Sequence, residues 1–156
     1  MYKLCWWNYF YNQYQTTIHK LWVAFYLIKL CVLLVWRALF HDLSKYSNKE
    51  AIPFSEVILE NSKTTYGSKQ YNECLCKLKP CLEHHYRLNS HHPQHYPNGF
   101  ADMSMLDRLE MIADWLASVR RHKDGDINQS VEINQQRFNY TDADKTWIKL
   151  IVSMMR

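Results

Sequence analysis

The chain has 156 residues, 47% of them hydrophobic, 15% aromatic and 22% charged, enough to bury the core of one domain and too apolar for a disordered chain. Only 3 Gly and 4 Pro are present, which excludes collagen-like and low-complexity classes and favours helices over a turn-rich sandwich or barrel. The net charge of +4 suits a small phosphorylated ligand and is too weak to argue a stable nucleic-acid complex, so none is expected.

In chain order, the first segment is aromatic: "CWWNYFYNQY", Cys5 to Tyr14, reads as a cap over the core. "LWVAFYLIKLCVLLVW", Leu21 to Trp36, is 16 residues long with Lys29 in its middle. That is short of the roughly 20 residues a spanning helix needs, so the expectation is a buried core helix and no membrane partner. The run ends in "RALFHDLSKYS", where His41, Asp42 and Lys45 follow Phe40 within five positions. Ser47 and Glu50 have capping-box spacing and open another helix, perturbed by Pro53. "ENSKTTYGSK" is a loop. Residues 69–90 read as a helix in which Pro80 forces a kink or a restart.

"HHPQHYPNGFAD" is irregular, having two prolines and a glycine. Residues 104–121 are a clear helix with Met105, Leu109, Ile112, Leu116 and Val119 at helical spacing. "RRHKDGDINQ" is a loop. The last helix starts near Thr141, which makes a second capping box with Asp144. The whole predicts an all-α, compact single domain of five to seven helices. Within it, residues 1–15 form an aromatic extension, 16–121 a core, and 122–156 a loop and C-terminal helix.

The five cysteines, Cys5, Cys31, Cys74, Cys76 and Cys81, are odd in number and form no disulfide framework, which points to a reducing compartment, the cytoplasm. Cys74 and Cys76 lack the two-residue spacer usual in thiolate metal sites. Tyr71, Cys74, Leu78 and Cys81 step by 3, 4 and 3, the spacing of a packed helix face.

The chemistry-bearing residues are histidines and carboxylates. His19 and His41 are 22 residues apart and share a helix face, but a straight helix would separate them by about 33 Å. If both bind one ion, the chain must fold back between them, and Lys29 to Val32, where a charge interrupts the apolar run, is the expected place. "LEHHYRLNSHHPQHY" holds His84, His85, His91, His92 and His95. Pro93 ends the helix there, so ligands from a helix end and the loop beyond can close on an ion from two sides. Asp107, Glu110 and Asp114 step by 3 and 4 on one face. Trp115, Met111 and Ala113 flank Asp114, and a carboxylate so placed needs a partner or a metal.

These blocks resemble the HD superfamily of metal-dependent phosphohydrolases. "HDLSK" is similar to the form in which a lysine follows the His-Asp pair by three. "HDLSKYSNKE", "HHYRLNSHHP" and "LEMIADWLA" are similar to an uncharacterised family of small HD-like proteins of phages, large viruses and microbes, over roughly residues 16–120. The resemblance implies an HD-like helical bundle with His19, His41, Asp42 and Asp114 as metal ligands, joined by His85 and by His91 or His92 where two metals bind. It also implies one or two divalent transition ions (Fe, Mn, Zn, Co or Ni, all suited to nitrogen and carboxylate donors). The expected activity is hydrolysis of a nucleotide or another small phosphoester by a metal-bound hydroxide, in the host cytoplasm if the chain is viral. Asp42 would bridge two ions and Lys45 would neutralise a phosphoryl oxygen. A homodimer stays open. An HD-fold di-iron oxygenase and a non-catalytic helical interaction protein with a residual metal site are the alternatives.

Overall fold

A computed structural model describes residues 6–61, 64, 68–121 and 124–156. Among them the chain is all-α, as the composition predicts. The helices are α1 (Trp6–Phe40), α2 (Asn48–Asn61), α3 (Lys69–Lys77), α4 (Lys79–Leu88), α5 (Met105–Val119), α6 (Ile127–Phe138) and α7 (Asp142–Met155), with three short 3-10 turns and no strand. The chain divides into two units, Met1–Phe40 and His41–Arg156. The sequence had suggested no boundary at Phe40.

The first unit is α1, one uninterrupted helix of 35 residues with no buried residue. It corrects three expectations. The chain does not reverse at Lys29 to Val32. Leu21 to Trp36 is not a buried core: Leu27 is 59% exposed and Ile28 63%. The aromatic residues from Trp6 to Tyr14, expected as a buried cap, are all exposed. The reason is local. No Gly or Pro stands between Trp6 and Phe40, and lysine is a good helix former, so a charge at position 29 interrupts the hydropathy without interrupting the helix. The axial rise from His19 to Phe40 is about 32 Å. The fold-back that would carry His19 to the His41 end of the helix is absent, so His19 does not reach it.

The second unit holds two hydrophobic clusters. The larger gathers α5, α6 and α7 around Phe100, Met111, Ile112, Ile127, Val131, Ile148 and Val152. Ile112 and Ile148 have no exposed surface, and truncating either to alanine is expected to cost about 2–5 kcal/mol. The smaller gathers Val57, Cys74 and Leu78 with Phe54 and Leu82, from α2, α3 and α4. Cys74, Leu78 and Cys81 are all buried, so the cysteine spacing is a packing pattern. Cys5 lies outside the described residues. Pro80 sits in the first turn of α4, so the predicted interruption is a restart at Leu78, where a missing N–H costs nothing.

Capping boxes open α5 (Ser104 with Asp107) and α7 (Thr141 with Asp144). On α5, Met111 is buried in place of Met105, which is 56% exposed. Helix α6 was not anticipated between the loop and the last helix. Asp126 caps it through the N–H of Asn128, and Ile127, Val131 and Asn134 form its buried face. Gly125 precedes it because a Cβ there would lie 1.9 Å from the Val119 carbonyl oxygen.

Candidate metal centre

Four short stretches of the second unit supply the site. At the end of α1, Asp42 takes a left-handed backbone conformation, φ 55, which Asp tolerates better than most residues. The Asp42 carbonyl accepts the Lys45 N–H at 2.9 Å, starting the 3-10 turn Leu43–Tyr46. Helix α2 then carries Glu50 inward. The last turns of α4 carry His84 and His85. Asn89 ends α4, its amide donating to the His85 carbonyl at 2.8 Å, and the chain beyond presents His91 and His92. Helix α5 contributes Glu110 and Asp114 from one face.

The Asp42 carboxylate is the centre of the group. Its Oδ1 lies 3.4 Å from His85 Nε2 and 3.3 Å from His91 Nε2. Its Oδ2 lies 3.4 Å from His41 Nε2 and accepts a hydrogen bond from Lys45 Nζ. Asp114 Oδ1 stands 3.7 Å from the same His41 nitrogen, and His92 Nε2 stands 2.8 Å from His85 Nε2. Behind these atoms are two glutamates. Glu110 Oε1 accepts from His41 Nδ1 at 2.9 Å and faces His91 Nδ1 at 3.2 Å. Glu50, with no exposed surface, accepts from His84 Nδ1 and His85 Nδ1, both at 2.8 Å, and from Ser44 Oγ at 3.0 Å.

His41, His85 and His91 therefore share one arrangement: Nδ1 turned to a glutamate and Nε2 turned to Asp42. A carboxylate on one ring nitrogen fixes the tautomer and leaves the other nitrogen free to ligate, the outer-shell pattern of metal-binding histidines.

The electrostatics reflect four carboxylates and several imidazoles drawn together. His41 is pushed up to about 10 by the Asp114 carboxylate beside it and by its hydrogen bond to Glu110. Burial opposes ionisation of Asp42, but the nearby His91 and the hydrogen bond from Lys45 outweigh it and hold the carboxyl well below its ordinary range. Asp114 is likewise lowered, with burial overcome by the nearby His41. Burial disfavours protonated His91, yet its contacts with Asp42 and Glu110 raise it. Burial lowers His85, and lowers His92 to about 3 with help from His91 and His85 beside it.

The donors fit a divalent transition ion. Asp42, His85, His91 and His92 place one ligand atom each within 4.8 Å of one another, and so do His41, Asp42 and Asp114. The two sets share Asp42, one oxygen toward each. Asp42 Oδ1 and His91 Nε2 are buried and lack hydrogen-bond partners, although each faces the other. A cation between such atoms supplies what neither can give the other. Imidazole nitrogen with carboxylate oxygen suits Zn, Fe, Mn, Co or Ni.

The structure brings together His41, Asp42, Lys45, His85, His91, His92 and Asp114, as the sequence suggested, and leaves out His19. His84 belongs to Glu50. His95 is apart, donating from Nδ1 to the Tyr86 carbonyl at 2.9 Å. Asp107, grouped with Glu110 and Asp114 by spacing, instead accepts from Ser90 Oγ at 2.6 Å and Tyr96 OH at 2.8 Å while capping α5. Glu50 does not close a capping box. Its side chain goes to the histidines, and Ser47 Oγ is buried without a partner.

No curated protein and no solved structure matches the chain. One family model does match, over residues 8–155. The chain belongs to the family it describes, DUF5662, a family of unknown function.

Proposed function

We propose that the His41–Arg156 unit is a metal-dependent phosphohydrolase of the HD type, acting on a nucleotide or another small phosphoester. The observation that carries this reading is the common arrangement of His41, His85 and His91, each held at Nδ1 by a glutamate and aimed at Asp42 through Nε2. A bound ion supplies Lewis-acid polarisation of a phosphoryl oxygen and activates water at neutral pH.

The protein's own groups do the rest. Asp42 offers its two oxygens in different directions, the form of a carboxylate that bridges two ions. Glu50 and Glu110 fix ring orientations before substrate arrives, so little reorganisation is left for the reaction. Lys45 is bonded to Asp42, yet its side chain is 35% exposed, so its ammonium is reachable by an incoming phosphoryl group. There it would neutralise charge that grows toward the transition state.

The test is to load the purified protein separately with Mn, Fe, Co, Ni and Zn and screen nucleotides and simple phosphoesters for phosphate release. Release that disappears with a chelator and returns with one of the ions is expected. No release with any ion, from protein shown to be loaded, would refute the assignment. The shared Asp42 also favours a second reading, a di-iron oxygenase. A mixed-valence di-iron signal with oxygen-dependent turnover would favour that reading over hydrolysis.

A further inference from the structure

We propose that α1 is a membrane-spanning helix, with Leu21 to Phe40 in the hydrocarbon layer of a lipid bilayer. Three observations point to lipid as the occupant of this surface. The first is all-round apolar exposure. Phe25, Tyr26, Leu27, Ile28, Val32 and Val35 are each at least 52% exposed, and at 100° per residue they leave no sector of the helix wider than about 100° without one. A groove on a partner protein, or a second copy of this chain, covers one stripe and leaves the opposite stripe in water. A helix apolar on all sides is satisfied by a core or by lipid, and α1 has no buried residue.

The second observation is length. The helix contains an 18-residue window of mean hydropathy 2.1 with none of it buried. Leu21 to Phe40 rises about 30 Å, the thickness of a bilayer's hydrocarbon core. Counting only Leu21 to Trp36 hid this match. Ala38, Leu39 and Phe40 extend the run beyond Arg37, whose long stem lets its charge reach the interface.

The third is the flanks. Lys20 stands just before the segment, and Trp22 and Trp36 lie about one turn or less from its ends, where indole rings favour the membrane–water boundary. The upstream turns, Trp6 to Tyr14, mix exposed Trp, Tyr and Phe with Asn and Gln, a composition suited to the headgroup region and poor for the hydrocarbon. Lys29 is the one charge at mid-span. Its cost is spread against twelve Leu, Ile, Val or Phe among the twenty positions.

The experiment uses the full chain with vesicles of phosphatidylcholine and phosphatidylglycerol. Expected results are co-flotation with the vesicles, retention after an alkaline carbonate wash, release by detergent, and an intact-chain mass in the retained material. Cys31, exposed on α1 at mid-span, is a native reporter. A water-soluble maleimide should fail to label it in vesicles and label it once detergent is added, while exposed Cys76 is labelled throughout. Ile28→Lys with Leu33→Lys should abolish retention and expose Cys31. Carbonate extraction, Cys31 labelling in intact vesicles, a defined soluble oligomer that ignores vesicles, or retained material lacking residues 1–40 would each overturn the proposal. Should the double variant misfold, the Cys31 labelling of the unaltered chain decides alone.

Discussion

Glu50→Gln is the substitution that most sharply separates an organised metal centre from a chance gathering of histidines. Glu50 is fully buried and accepts from His84 Nδ1, His85 Nδ1 and Ser44 Oγ at 2.8, 2.8 and 3.0 Å. Glutamine keeps the shape but puts an NH2 where one carboxylate oxygen stood, so at least one imidazole N–H meets a donor instead of an acceptor. Losing a hydrogen bond to a charged partner costs about 1.5–3 kcal/mol. Losing an outer-shell partner of a metal ligand costs about 10–100-fold in affinity, which is about 1.4–2.7 kcal/mol. The two routes to the magnitude agree. Metal retention, measured by elemental analysis after dialysis against graded chelator, should therefore fall 10–100-fold while the chain stays folded. Stability by urea unfolding should fall by about 1–3 kcal/mol at neutral pH. The Glu50 carboxyl is held below its ordinary value of 4.5, burial being outweighed by the bonds from His84, His85 and Ser44. Its contribution is therefore complete above that pH and is lost as pH falls through the folded-state value, so the gap between variant and parent should close in acid. Equal metal retention in both proteins would refute the outer-shell role of Glu50 and the reasoning that His85 is oriented for an ion.

Two further substitutions divide the site by role. Lys45→Ala should keep the metal and lower kcat of any confirmed phosphoester hydrolysis by about 10²-fold, the order seen for one lost electrostatic donor; unchanged turnover with metal intact would leave Lys45 as an ion-pair partner of Asp42 alone. Asp107→Ala should destabilise the fold by about 2–4 kcal/mol through the lost α5 cap and the unsatisfied Ser90 and Tyr96 hydroxyls, with metal content per folded molecule unchanged; loss of metal from a variant that remains folded would place Asp107 in the centre after all.

Local signals were legible where one turn of chain decides the outcome. Thr141 with Asp144 named the start of α7, Pro80 named the restart into α4, and the steps of Cys74, Leu78 and Cys81 named a packed face. The histidines around Pro93 and the His41-Asp42 pair were legible because their density is chemically conspicuous. What failed was competition between local and distant partners. Ser47 and Glu50 have capping-box spacing, but burial beside two imidazole N–H groups offers Glu50 stronger bonds than a cap, and nothing within four residues of it announces that. The bond from His41 to Glu110 joins positions 69 apart, so spacing on α5 could propose Asp107, Glu110 and Asp114 alike without ranking them. Helix α6 was missed because "INQSVEINQQRF" carries few apolar residues, and its cap, Asp126, looked like part of the loop. The expectation about His19 went wrong for a different reason. A ligand role for His19 requires a chain reversal, and the residues from Trp6 to Phe40, with no Gly or Pro among them, give the backbone no cause to turn.

An ion at Asp42 is tested most directly by the metal content of the purified full chain beside that of Asp42→Asn. Asparagine keeps the left-handed turn at this position, since it adopts that backbone as readily as aspartate, but it carries no charge for an ion and cannot bridge with two anionic oxygens. One or two transition-metal ions per chain in the parent, and none retained by a folded Asp42→Asn variant, is the predicted result. A parent that binds no Mn, Fe, Co, Ni or Zn when titrated, or a variant that holds the parent's stoichiometry, would contradict it.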